Sequence, residues 1–94
     1  MNFVKNLNGT SGKTCSCPGC SSWLGHWERK TGRRALFCAA CTNSAEVGGH
    51  VKKAGDDYSH YIVPLCKGCN NRTDAFEVYE ELVSAKCDIN EANT

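Results

Sequence analysis

The sequence predicts a small α+β domain that is held together by more than a hydrophobic core. Three observations lead there. The chain has 94 residues with polar ends, so its ordered part is expected to be about 70 residues, a size at which apolar burial alone gives little stability. Eight residues are cysteine, and six of them form three Cys-x-x-Cys pairs. Strand-prone segments run into two of these pairs, and a stripe with helical spacing follows the last.

Met1 to Thr14 is rich in Asn, Gly, Ser and Thr, with Phe3, Val4 and Leu7 as its large apolar residues. It reads as a flexible N-terminal segment, residues 1–14. Cys15 to Cys20 follows as a tight turn shaped by Pro18-Gly19. Ser22 to Arg29 reads as a strand with Trp23, Leu24 and Trp27, Lys30 to Arg33 as a turn, and Arg34 to Phe37 as the returning strand. This N-terminal β-hairpin would deliver the chain to Cys38-Ala39-Ala40-Cys41. Ala45 to Lys52 is expected to be a short strand, and Gly55-Asp56-Asp57 a loop. His60 to Leu65 is a second strand, which Pro64 confines to an edge or an end. Beyond Cys66-Lys67-Gly68-Cys69, Asp74 and Glu77 have capping-box spacing, and Phe76, Tyr79, Leu82 and Val83 recur as on one helix face. A C-terminal helix fading near Lys86 or Cys87 is therefore expected, then a frayed tail over 88–94, with the folded domain spanning 15–87.

So many cysteines indicate either disulfides in an oxidising compartment or metal binding in a reducing one. The first 14 residues hold no continuous apolar run of the kind a secretory signal needs, and no stretch approaches the roughly 18 apolar residues that span a bilayer. A cytoplasmic, zinc-binding protein without a membrane segment is the expectation. Each Cys-x-x-Cys turn presents two thiolates from one side of a tight loop, and two turns supply the tetrahedral set that zinc requires. The favoured pairing joins Cys38 and Cys41 to Cys66 and Cys69. There a turn, a hairpin and a helix carrying the last two ligands would form a treble-clef finger. A rival pairing joins Cys17 and Cys20 to Cys38 and Cys41 as a zinc ribbon, leaving Cys66 and Cys69 to find His50 or Cys87. In the favoured case Cys15, Cys17 and Cys20 form a second zinc site with His26 or His50.

Cys38-x-x-Cys41, Gly49-His50-Val51, Tyr61-Ile62-Val63-Pro64-Leu65-Cys66 and Cys69-Asn70 together resemble the HNH (His-Me finger) nucleases of treble-clef type, over about residues 36–74. The resemblance implies that His50 stands where that family keeps its general base, which draws a proton from the water attacking a phosphodiester. It also implies a divalent cation at the scissile phosphate. The pattern is incomplete. Gly49 occupies the place of an acidic or His metal ligand, Tyr61 that of the Asn that orients the base, and Asn70, Asn71, Thr73 or Asp74 that of the final His.

The net charge of +1 conceals an asymmetry: residues 1–72 hold ten Lys and Arg against four Asp and Glu, whereas residues 73–94 hold Lys86 against six acids. Arg29, Lys30, Arg33 and Arg34 at the expected hairpin tip, with Lys52, Lys53, Lys67 and Arg72, are suited to phosphate contacts or to a solvated surface. Trp23 and Trp27 are suited to packing over the zinc, or to stacking on bases or gripping a peptide. Two functions follow: a non-catalytic, zinc-stabilised binding module for nucleic acid or a protein partner, and an HNH-type endonuclease using His50 and a second divalent cation.

Overall fold

The computed structural model describes residues 2–7, 22–55 and 59–85. They form five strands and two helices: β1 (Asn2–Asn6), α1 (Trp23–Thr31), β2 (Val47–Lys53), β3 (Tyr61–Leu65), α2 (Lys67–Asn70), β4 (Phe76–Val78) and β5 (Val83–Ser84). The strands make one sheet in the order β4-β1-β2-β3-β5, and every pairing is antiparallel.

The β2–β3 hairpin is the sheet's centre, with Val47 opposite Leu65 and Val51 opposite Tyr61. Pro64 is tolerated because β5 pairs only with Tyr61 and Ile62, so no neighbour asks for the missing N–H. Side chains alternate between two cores. On one face Val4, Val51, Val63, Leu65, Phe76 and Val78 pack with Cys38, Cys66 and Cys69. On the other Ile62 and Val83 pack under Trp27 of α1. Gly48 and Gly49 would ordinarily weaken a central strand. Here a Cβ on Gly48 would lie 2.4 Å from the Trp23 carbonyl carbon, and one on Gly49 would lie 2.4 Å from Leu65 Cδ1. The pair thus lets α1 and the Leu65 side chain press on the two faces of β2.

Three expected elements are corrected. The N-terminal β-hairpin over Ser22 to Phe37 is instead helix α1. Ser22 is its N-cap, accepting from the Gly25 N–H at 3.0 Å, and Gly32 ends it with φ 72° and an N–H donated to Glu28 O at 2.8 Å. Trp23, His26 and Trp27 then share a face, and Trp27 and His26 are fully buried rather than arrayed for stacking. The C-terminal helix is replaced by β4 and β5. Phe76 and Val78 alternate into the core beside Glu77, whereas Tyr79, which a helical stripe would bury, is 64% exposed. Asp74 caps no helix: both carboxylate oxygens meet the Arg72 guanidinium, at 3.1 and 2.7 Å. Finally, residues 2–6 of the expected flexible segment form a strand between β4 and β2, with Val4 opposite Lys53 and Phe76. The expected turn at Cys15 to Cys20, and the tail over 88–94, lie outside the described residues. No helix among the described residues is long and apolar enough to cross a membrane.

Candidate metal centre

Two short loops build the site. The first is closed by a bridge between Phe37 and Ser44 and by the Cys38 N–H donating to Asn43 O at 2.7 Å. It carries Cys38 and Cys41, and the Ala40 N–H donates to Cys38 Sγ at 3.4 Å. This loop docks on the end of β3, where Ala39 N donates to Pro64 O at 2.8 Å and Glu46 N to Leu65 O at 2.9 Å. The second loop is the exit of β3 itself. Cys66 caps the single turn of α2, its Sγ accepting from the Cys69 N–H at 3.5 Å. Glu46 Oε2 accepts the Lys67 N–H at 2.9 Å, tying the loops together.

These constraints bring Cys38, Cys41, Cys66 and Cys69 together, with their sulfurs all within 4.8 Å of one another. Cys41 Sγ and Cys66 Sγ are 3.6 Å apart, and all four thiols are free. A disulfide would place two sulfurs about 2.05 Å apart. A tetrahedral ion with metal–sulfur bonds of about 2.3 Å would place them about 3.8 Å apart. The cluster therefore fits one metal ion held by four thiolates. Four protein ligands fill a tetrahedral shell and leave no position for water or substrate. Three of the sulfurs belong to buried residues, and Cys41 is half-buried.

The electrostatics favour a thiolate first at Cys66. The Cys69 backbone N–H aimed at its sulfur, helped by the neighbouring thiols, outweighs desolvation and lowers its pKa from 9.0 to about 7. Burial pushes the Cys69 thiol the other way, and its sulfur neighbours add to the rise. At Cys41 the Asn43 backbone N–H lowers the pKa, but desolvation and hydrogen bonding with Cys66 and Cys38 prevail and the net shift is upward. Cys41 and Cys69 thus give up protons when an ion binds.

The other candidate residues fall elsewhere. His26 is fully buried, and its Nε2 donates to Ser84 O at 2.8 Å. His50 is half-buried on β2, edge-on to Trp23 with ring centroids 4.4 Å apart. Cys15, Cys17 and Cys20, expected to form a second zinc site, lie outside the described residues, as does Cys87. Among the described residues the four cysteines are the only group of three or more His, Cys, Asp or Glu able to share an ion. Of the basic residues proposed for phosphates, Arg33 pairs with Glu80 and Glu81 and lies over Trp27, and Arg72 pairs with Asp74 over Phe76.

Three supporting residues carry no warning in the sequence. Asn6 Nδ2 donates to Cys69 O at 2.8 Å and Arg72 O at 3.0 Å, clamping the second loop to β1. Asn43 closes the first loop and sets its side-chain amide 4.0 Å from Cys66 Sγ. Glu46 joins the two loops. Asn43 and Glu46 lie close to Cys41 in sequence, where the N–H groups of a cysteine turn are normally found, but no local signal marks Asn6. Comparisons of the chain with protein-family profiles, with curated proteins and with solved structures find no match.

Proposed function

We propose that this chain is a zinc-stabilised binding module without turnover, working in a reducing, intracellular compartment and engaging nucleic acid or a protein partner. The observation that carries the reading is the convergence of four thiols from two loops, 25 residues apart at Cys41 and Cys66, into a closed coordination set. A sulfur-only tetrahedral set suits zinc and, among common ions, otherwise iron. Such a closed site supports a scaffold rather than chemistry at the metal.

A first cysteine turn, a hairpin, and a second pair carried on a helix follow one another in the order of a treble clef, although α2 has only four residues. This order supports an HNH-like scaffold. The catalytic reading has less support. At Gly49, the position of the family's metal ligand, any side chain would collide with Leu65. Asp74, the nearest acidic substitute for the final His, is held by Arg72.

Native mass spectrometry of the reduced protein tests the scaffold. One zinc per chain is expected, and its absence, or sulfurs joined in disulfides, refutes the proposal. Two zincs would require a second ligand set that includes Cys15, Cys17 or Cys20. Plasmid nicking with magnesium or manganese tests the nuclease alternative. Nicking that His50→Ala abolishes would replace the non-catalytic reading with HNH-type cleavage by His50 and a second divalent cation.

A further inference from the structure

We infer that the open pocket between the first cysteine loop and the end of β4 seats a Lys or Arg side chain from a basic segment of a protein partner. The inference rests on the binding-module reading and names the partner and its surface. Phe37, residues 38–42, Tyr79 and Glu80 line the pocket, which encloses about 420 Å³. Ligand sites typically measure roughly 300–1,000 Å³, so there is room for one long side chain. Backbone contacts set its walls. The Tyr79 N–H donates to Ala39 O at 2.9 Å, and the bridge between Phe37 and Ser44 closes the base of the loop. Among the described residues the exposed large apolar side chains are Phe3, Leu36, Phe37 and Tyr79. Phe37, at 63% exposed, and Tyr79 both line this pocket, and Leu36 adjoins Phe37 in the chain. Exposed apolar surface is therefore concentrated at one concave place, as at sites that receive a partner's side chain.

Charge selects the partner. Glu80 lines the pocket and no Lys or Arg does. Glu77 lies beside it, its Oε1 accepting from the Tyr79 hydroxyl at 2.9 Å, and no cation among the described residues pairs with it. Arg33 meets Glu80 at 3.3 Å and Glu81 at 3.7 Å while lying over Trp27 of α1, so it answers those acids and leaves Glu77. Cys38 and Cys41 also line the pocket, and a divalent ion on four thiolates would add a net charge of about −2 behind them. The phosphates of a nucleic acid would be repelled here, and a neutral side chain would gain nothing from the charge. A Lys or Arg side chain suits both features: its cation is drawn to carboxylates and ring faces, and its stem covers apolar surface. Rings elsewhere in the chain already carry cations, with Arg33 over Trp27, Lys53 over Tyr61 and Arg72 over Phe76. Phe37 and Tyr79 carry none among the described residues.

Amide proton–nitrogen spectra of the zinc-loaded chain test this, titrated with the peptide Gly-Gly-Arg-Gly-Gly, its Lys and Gln counterparts, and oligodeoxythymidylate of about a dozen nucleotides. At low salt the Arg and Lys peptides should shift the amides of residues 39–42, Tyr79 and Glu80, less so as salt rises, and the Gln peptide should not. Tyr79→Leu keeps the N–H that Ala39 O accepts and removes the ring, and should weaken binding about two- to fivefold. Glu77→Gln keeps an acceptor for the Tyr79 hydroxyl and removes a charge, and should weaken it by a similar factor. Native mass spectrometry verifies the zinc content of each variant. Wild-type affinity in either variant would overturn the inference, as would equal binding of the Gln and Arg peptides. Shifts of the same amides by the oligonucleotide would assign the pocket to nucleic acid, and shifts on dilution alone would assign it to a second copy of the chain; either result overturns the inference. Silence towards the peptides in a chain with its full zinc does so as well, and leaves the scaffold standing. A chain that takes up no zinc refutes the scaffold and this inference with it.

Discussion

Replacing Gly48 by alanine adds one methyl group where the structure has no room for it. The new Cβ would lie 2.4 Å from the Trp23 carbonyl carbon, 2.5 Å from Leu24 N and 2.7 Å from Trp23 O. Ordinary contact starts near 3.4 Å. The obstacle is helix backbone, so no side chain can rotate aside. Relief requires α1 to withdraw by about 1 Å, and a gap of that size forfeits about a quarter to a half of the dispersion energy across it. The contacts at stake are those of Trp27 with Ile62 and Val83. Overpacking of this kind costs about 1–3 kcal/mol. The stiffer unfolded chain returns about 0.4–1 kcal/mol. The difference is a net loss of up to about 2.6 kcal/mol, centred near about 1.3 kcal/mol, or a Tm lower by roughly 5–10 °C at that centre in a domain of this size. Gly68→Ala is the control, because its Cβ would meet only Cys66 Sγ at 4.0 Å, on a helical turn where alanine is favoured. Thermal unfolding of the two zinc-loaded variants by circular dichroism makes the comparison. If Gly48→Ala melts above the wild-type temperature, α1 does not pack on β2 through this glycine.

Three further outcomes are expected. Cys66→Ser keeps a competent N-cap for α2 but removes a soft ligand, so the variant should lose stoichiometric zinc and cooperative unfolding, as read by native mass spectrometry and calorimetry. Metal uptake at neutral pH should release protons, because the upward shifts at Cys41 and Cys69 keep both thiols protonated until an ion binds, measured by calorimetry in buffers of different ionisation enthalpy. Because the folded Cys66 pKa lies below 9.0, its contribution to metal-free stability is present above pH 9 and is lost as pH falls through about 7. Buried Cys69 works in the opposite sense, contributing below its ordinary pKa and opposing folding as the solution becomes more alkaline. Asn6→Ala removes the donor shared by Cys69 O and Arg72 O, which should cost about 1–3 kcal/mol and speed zinc transfer to a chelating dye. Unchanged transfer would mean that β1 does not support the metal loop.

The parts of the molecule that could be read from the sequence are those whose signals are short-range and chemically unambiguous. The two cysteine turns, the strands leading from Val47 and Tyr61, and the placement of Pro64 all belong to this class. The N-terminal β-hairpin failed because Gly32 serves a tight turn and a helix C-cap equally well, while two tryptophans four apart suit a helix face. The C-terminal helix failed for a long-range reason. Phe76-Glu77-Val78 is too short to declare itself, and it becomes a strand only by pairing with Asn2–Asn6. That partner lies more than 70 residues away, in a segment whose Asn- and Gly-rich composition suggests a loose chain. Gly48-Gly49 lies inside the expected strand Ala45 to Lys52, and nothing local announces the two close contacts it makes.

The position of β1 also bears on the order of assembly during translation. Its neighbour β4 is made last but for β5, so the ribosome presents Asn2–Asn6 well before Phe76–Val78 exists. At roughly 5–20 residues per second the first strand waits several seconds for that partner. Both cysteine loops and the hairpin between them emerge during the interval, so zinc can be captured by a nascent chain before the sheet closes around it.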